Sequence, residues 1–316
     1  MINHKPSESY RKVPYDLRTS KQIERRMILD AFIRLSRHGF DIAAYQYTGM
    51  GSVHFVDYIL FHRLLGIRRM LSAEYSTKIT KRIAFNRPYR NIDLAFKAIG
   101  EVIPDLSPDR RHILWLDYDF QINNVMTTDV VNAAAALSVG SFLLVTVDVE
   151  PPVKDGSPKK WRRYFLDRCA PFCSPGWPLA DYAQSKLHRL NVKILENAIH
   201  SGLAGRTDIA FHPLFNFAYA DGHQMLTIGG VIGGDTEKRS IDASNFDDAA
   251  YLRRSFKELE YTVPKFVLTR KEKFYLDAAM PRVRKWKPKD FEMDERDVAA
   301  YAEVHRFYPS YAELFL

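Results

Sequence analysis

The chain has 316 residues, 46 Lys+Arg against 38 Asp+Glu for a formal net charge of +8, 46% apolar and 13% aromatic residues, and two cysteines. That balance excludes a disordered or fibrous chain and a disulfide-dense secreted scaffold, and the length allows one large α/β domain with additions. The longest uncharged apolar stretch, residues 133–147, is too short to span a membrane and the first residues form no apolar signal, so a cytoplasmic protein without membrane attachment is expected.

Residues 1–40 form a basic arm of net charge +5. Within it Ile23, Met27, Ile28, Ala31, Phe32 and Leu35 recur at helical spacing, predicting a helix over 20–37 with Ser20 as its cap and Gly39 as its stop. A core follows over residues 41–235. Its first strand is expected over 42–47, ending in Thr48-Gly49-Met50-Gly51-Ser52, then a helix over 53–65 and a second strand over 69–73 ending at Glu74. A helix over 77–85 and a weaker strand over 91–99 come next. The fourth strand, 113–116, ends in Asp117-Tyr118-Asp119-Phe120, and a helix over 129–137 leads to a fifth strand over 141–147. A basic, proline-rich insertion occupies 151–178, and a helix is expected near 179–200. Asp221-Gly222 then joins two strands, 214–220 and 223–232, as a hairpin whose end Gly229-Gly230 and Gly233-Gly234 loosen. Residues 236–316 form a small helical extension; Thr269-x-x-Glu272 is a capping box, and its near-neutral charge suits packing or oligomerisation.

Five short apolar strands separated by helical connections predict a mostly parallel, doubly wound α/β sheet. The late antiparallel hairpin is the arrangement expected of class I S-adenosylmethionine (SAM)-dependent methyltransferases. In such a sheet a ligand binds beyond the carboxyl ends of the strands, where the strand order reverses. Gly49 and Gly51 let the chain turn closely past a ligand, Glu74 lies 23 residues beyond Gly51 and can accept from ribose hydroxyls, and Glu101 can accept from an adenine amine. Together they point to an adenosine-containing cofactor held by Tyr47, Gly49, Met50, Gly51, Ser52, Glu74 and Glu101.

The run Tyr47-Thr48-Gly49-Met50-Gly51-Ser52, with Phe55-Val56-Asp57, His62, Leu65-Gly66-Ile67, Met70, Glu74, Phe85-Asn86-Arg87-Pro88-Tyr89 and Trp115-Leu116-Asp117-Tyr118-Asp119, resembles a group of O-methyltransferases over roughly residues 18–235. The resemblance implies a class I Rossmann-like core and SAM as cofactor. One position departs from it: the acid usual two places before the first motif glycine is Tyr47.

Methyl transfer needs alignment of acceptor and methyl and, for a hydroxyl, removal of a proton. Asp117 and Asp119 share one side of an extended strand end, and two close carboxylates raise one pKa, so both are candidate catalytic groups, with Asp117 ahead. A metal set of Asp117, Asp119 and Asn123 or Asn124 is conceivable, but no metal is expected. His62 reads as a packing histidine and Cys169 and Cys173 as free thiols. The insertion carries a net +4 over 151–170, with Lys159, Lys160, Arg162 and Arg163 beside Trp161 and Tyr164. A basic rim around a near-neutral crevice suits an anionic methyl acceptor. The alternative is a catalytically inactive Rossmann-like protein that contacts nucleic acid through the arm and these four residues.

Overall fold

The alternation of aliphatic runs with amphipathic segments folds as an α/β sheet protein in the computed structural model, which describes residues 18–51, 53–152, 156–282 and 286–310. In chain order the elements are α1 (Thr19–Leu35), β1 (Gln46–Met50), α2 (Val56–Leu65), β2 (Arg69–Ala73), α3 (Thr80–Asn86), β3 (Ile92–Ala95), α4 (Ile99–Val102), β4 (His112–Gln121), α5 (Asn124–Ala136) and β5 (Ser141–Asp148). There follow α6 (Pro158–Arg168), α7 (Leu187–Leu203), β6 (Ala210–Ala220), β7 (Gln224–Gly233), α8 (Asp235–Ala243), β8 (Tyr261–Thr262), α9 (Arg270–Ala278) and α10 (Glu295–Val304).

The sheet order is β3-β2-β1-β4-β5-β7-β6-β8. β1 to β5 are mutually parallel, and β7 runs antiparallel to both β5 and β6. The chain builds outward from β1 to β3, then crosses back to β4, so the order reverses between β1 and β4 and opens the crevice there. The expected doubly wound sheet with its closing hairpin is present.

Several boundaries move, each with consequences for the crevice. Residues 42–44 make a 3₁₀ turn with only Ile42 buried, and β1 starts at Gln46. Gly49 and Met50 therefore lie within the strand, and Gly51 is the first residue beyond it. A short apolar run cannot by itself fix where extension begins. β4 is ten residues long and carries Asp117 to Phe120 as strand, with a register shift between Asp117 and Gln121. The alternation acid–aromatic–acid–aromatic suits that strand: Tyr118 is buried and Asp119 exposed. The basic insertion holds α6, opened by Ser157-Pro158 with proline in the first turn. Gly229 and Gly230 do not loosen the hairpin. Both are paired within β7, and a Cβ on Gly230 would meet the His212 carbonyl oxygen at 2.2 Å.

Helices cover both faces of the sheet. On one, α1 and α2 pack Ile28, Phe32 and Phe61 against Trp115, Phe142 and Phe215. On the other, α5 and α7 pack Val130, Ile194 and Leu195 against Leu114, Leu116, Leu143 and Val145. From the extension, Ile241, Tyr251, Tyr261 and Val304 join the first cluster, and β8 pairs with β6. Ser20 does not cap α1. The carboxylate of Asp221, in the β6–β7 turn, accepts from the Ser20 and Lys21 amides at 3.1 and 2.9 Å and so fastens α1 to the hairpin tip. Among the described residues no helix is long and apolar enough to cross a membrane.

Candidate active site

The end of β1 is bare backbone by necessity. A Cβ on Gly51 would lie 2.2 Å from Ser72 Oγ and 3.2 Å from the Ala73 oxygen, and one on Gly49 would lie 2.7 Å from the Tyr47 hydroxyl. The Gly51 amide donates to the Ala73 carbonyl at 2.6 Å, which presses the turn against β2. Phe55, at φ +48°, then turns the chain into α2. Tyr47 is buried and points its hydroxyl at Asp57 Oδ2, 3.5 Å away, while Met50 is half-buried at the edge. Ser52 lies outside the described residues.

Glu74 follows β2 at the adjoining strand end. Its amide donates to Ala95, and its Oε1 accepts from the Ser76 amide at 2.9 Å. Burial raises its pKa, and the nearby Asp119 adds to that. Glu101 is exposed on α4, beside Gly100. A Cβ on Gly100 would fall 2.3 Å from Oδ1 of Asp129, a buried carboxylate whose Oδ2 accepts from the Tyr118 hydroxyl at 2.7 Å. Burial raises the pKa of Asp129 as well. Sequence reasoning placed Asp129 only as a helix start; its one signal was an acid inside an otherwise apolar helical run.

Beyond β4 the arrangement differs most from expectation. Asp117 faces α1, where Lys21 and Arg25 are buried instead of lining a basic mouth. Lys21 Nζ lies 3.1 Å from Asp117 Oδ1, 3.1 Å from the Tyr219 hydroxyl and 3.4 Å from Thr146 Oγ1, and 4.5 Å from the Trp115 ring centroid. Glu24 Oε2 forms a second ion pair with the ammonium at 3.0 Å. Burial opposes the charge on Lys21, but Asp117 and Glu24 outweigh it and its pKa is raised. Burial likewise pushes Asp117 upward, and Lys21, Arg25 and Arg18 together hold it below the usual carboxylate range. Asp117 therefore does not acquire the raised pKa that two neighbouring acids would produce. Burial raises Glu24. Arg25 pairs through Nε with Asp57, in the first turn of α2.

Asp119, two residues further along β4, is exposed and close enough to raise both Glu74 and Asp148. Asp148 ends β5, with its Oδ1 accepting from the Glu150 amide at 2.7 Å and its Oδ2 3.8 Å from His223 Nδ1 on the hairpin tip. Burial is the main cause of the raised pKa of Asp148. Among the described residues no group of three or more His, Cys, Asp or Glu is placed to hold a metal. His62 Nδ1 lies 2.8 Å from the Ile67 carbonyl, in a packing role. Cys169 and Cys173 are buried free thiols, and burial pushes Cys169 up to about 12.

On α6, Lys159, Lys160 and Arg163 are exposed, whereas Arg162 donates to the Pro175 carbonyl. Trp161 is buried and cannot stack on a ligand; Tyr164 is half-buried with the Arg168 guanidinium 5.4 Å from its ring centroid. Burial raises the pKa of Tyr164, and the Asp148 carboxylate at the end of β5 adds to that.

The glycine cradle at 49–51, the half-buried Glu74 carboxylate and the unpartnered Nη1 of buried Arg25 suit SAM, which presents backbone-facing, ribose and zwitterionic surfaces. A family profile described as "Putative O-methyltransferase" matches residues 13–316. No curated protein matches the chain. Among solved structures the chain is similar to the O-methyltransferase TomG from Streptomyces achromogenes in complex with SAM, at 16% identity over 66% of this chain and 79% of that one, TM-score 0.37. It is also similar to Trm1 from Pyrococcus horikoshii with S-adenosyl-L-methionine, at 12% identity over 76% and 64%, TM-score 0.44. A third is described as a probable spermidine synthase from Corynebacterium glutamicum, at 11% identity over 86% and 83%, TM-score 0.43. On the strength of the family match and the crevice, the chain belongs to this O-methyltransferase family and is a SAM-dependent methyltransferase.

Proposed function

We propose that the chain methylates an oxygen of an anionic acceptor. The observation that carries this reading is the gathering of Gly49 to Gly51, Glu74, Asp117 and Asp119 at the carboxyl ends of three adjacent strands, where the strand order reverses. SAM supplies an electrophilic methyl on a sulfonium. The backbone of residues 49–51 lies along the cofactor, Met50 flanks it, and Tyr47 supports the turn from beneath. Glu74 accepts from the ribose hydroxyls. Glu101 accepts from the adenine amine, with Asp129 behind it.

Asp119 takes the proton from the acceptor hydroxyl. It is the exposed member of the pair on β4, whereas Asp117 already carries Lys21. The acceptor's negative charge meets Lys159, Lys160 and Arg163 on α6, outside the crevice; a phosphate or carboxylate there needs no buried partner. Residues 236–316 are assigned to packing and to contact between copies, and the location to the cytoplasm.

Isothermal titration with S-adenosylhomocysteine, then transfer of labelled methyl from SAM into separated small-molecule and nucleic-acid fractions, tests this. The expected result is binding, label on oxygen in an anionic small molecule, and a turnover about 10²–10⁴-fold lower for Asp119→Asn. Charge reversal at Lys159, Lys160 and Arg163 should raise the acceptor KM and leave cofactor affinity alone. Absence of heat at millimolar ligand overturns the cofactor site, and label on nitrogen or in nucleic acid overturns the acceptor assignment.

A further inference from the structure

Arg25 is a buried cation with an unused donor. Its side chain is 4% exposed, its Nε is taken by Asp57 and its Nη1 has no hydrogen-bond partner among the described residues. Leaving a buried donor unpaired costs about 1–3 kcal/mol, and more for a charged one, so such a group in a built ionic cluster points to a ligand. The location narrows which ligand. Asp57 opens α2 just past the glycine turn, and Asp117 lies on β4, the other neighbour of β1. Arg25 is paired with Asp57, and the Asp117 carboxylate also acts on its charge, so the guanidinium lies near both acids.

Among the described residues Lys21 pairs with Glu24 and Asp117, Arg25 pairs with Asp57, and Arg18 also acts on Asp117. A ligand that brings both a carboxylate for Arg25 and an ammonium for Asp117 leaves the net charge of such a cluster unchanged. Asp117 is a quarter exposed, and Lys21 engages only its Oδ1. Tyr47, on β1, brings no charge and turns its hydroxyl to Asp57.

We propose that Arg25 and Asp117 hold the amino-acid end of the cofactor, the carboxylate on Arg25 Nη1 and the ammonium on Asp117. The first helix, not the end of the first strand, then supplies half of the cofactor's charge recognition. Asp117 becomes a binding group that leaves the proton-accepting role to Asp119. The inference rests on the cofactor reading of the crevice, and the experiment separates the two.

Three probes are titrated calorimetrically: S-adenosylhomocysteine, with both charges; S-adenosyl-3-thiopropylamine, with the ammonium only; and 5′-methylthioadenosine, with neither. For Arg25→Gln, S-adenosylhomocysteine should bind about 10- to 100-fold more weakly, as expected for a charge-assisted pair, while the other two stay within about threefold. For Asp117→Asn, S-adenosylhomocysteine and the amine should both weaken about tenfold or more, and methylthioadenosine should not. Arg25→Lys keeps the buried charge but loses Nη1, and should show the same selective loss if Arg25→Gln does not fold. Ratios between probes within one variant are insensitive to a general loosening of the site. Wild-type protein that binds none of the three refutes the cofactor reading. Wild-type protein that binds methylthioadenosine as tightly as S-adenosylhomocysteine, or an Arg25 variant that weakens all three alike, refutes the inference alone.

Discussion

Replacing Lys21 by methionine removes the centre of the ionic cluster while keeping much of the stem's volume. Lys21 is fully buried and lies within 3.1 Å of Asp117 and 3.0 Å of Glu24. Without it Glu24, also fully buried, loses the cation it pairs with. At an effective dielectric of ~20, each of those contacts is an attraction of about 5 kcal/mol, opposed by the cost of removing the charges from water. Breaking a buried pair from one side leaves that cost uncompensated and typically destabilises by about 3–5 kcal/mol. With an unfolding entropy of about 2 cal/mol/K per residue, a chain of this length should lose roughly 5–8 °C in melting temperature. The double variant Lys21→Met/Glu24→Gln should recover about half of that loss, because the stranded carboxylate is gone, and the cycle should show coupling of about 1 kcal/mol or more. Differential scanning fluorimetry at pH 7 on the four proteins measures all of this. A single variant melting within about 1 °C of wild type, or a double whose loss equals the sum of the singles, would refute the account of the cluster.

Other consequences can be checked alongside. Asp221→Ala removes the acceptor for the first amides of α1 and should cost about 0.5–2 kcal/mol, seen as a lower melting temperature; no change would mean that the hairpin tip does not anchor α1. A Cβ at Gly202 would meet the Val131 carbonyl oxygen at 2.4 Å, a backbone atom that cannot rotate away, so Gly202→Ala should cost about 1–3 kcal/mol by forcing α7 off α5. At Gly51 the first obstacle is the Ser72 hydroxyl, which can turn; Gly51→Ala should therefore melt near wild type yet bind S-adenosylhomocysteine more weakly, and unchanged affinity would remove the turn from the cofactor site. The folded-state pKa of Asp117 is lowered, so its contribution to stability is present above its ordinary value near 3.8 and lost as pH falls through the lower folded value. Acid unfolding curves should therefore steepen below about pH 4, and Asp117→Asn should be less stable at pH 7 and lack that part of the acid slope.

The sequence by itself determined the sheet class and the place of the crevice. Apolar runs of strand length alternating with helical periodicity can bury their surfaces only as a sheet covered on both faces, and Asp221-Gly222 between two such runs can only be a tight turn. The positions of Gly49, Gly51 and Glu74 at strand ends followed from that frame, even though β1 begins four residues later than the apolar run suggests. Local pattern could also hint that Asp117 and Asp119 share a side, since side chains alternate along a strand.

What it could not determine was the electrostatics, because these depend on contacts between residues far apart in the chain. Lys21 and Arg25 read as part of a basic arm, yet the arm's helix packs on the sheet, fastened by Asp221 two hundred positions away, and its charges meet Asp57 and Asp117 inside. A net charge of +8 counts those cations as though water surrounded them. Once α1 is packed they no longer add to the rim, and the exposed cations of α6 remain there. The same burial settled the pKa of Asp117: two acids two residues apart predict a raised value, and a buried ammonium from another element lowers it. Charge has no periodicity to read, and its sign at a site is fixed by whichever element the tertiary fold brings alongside.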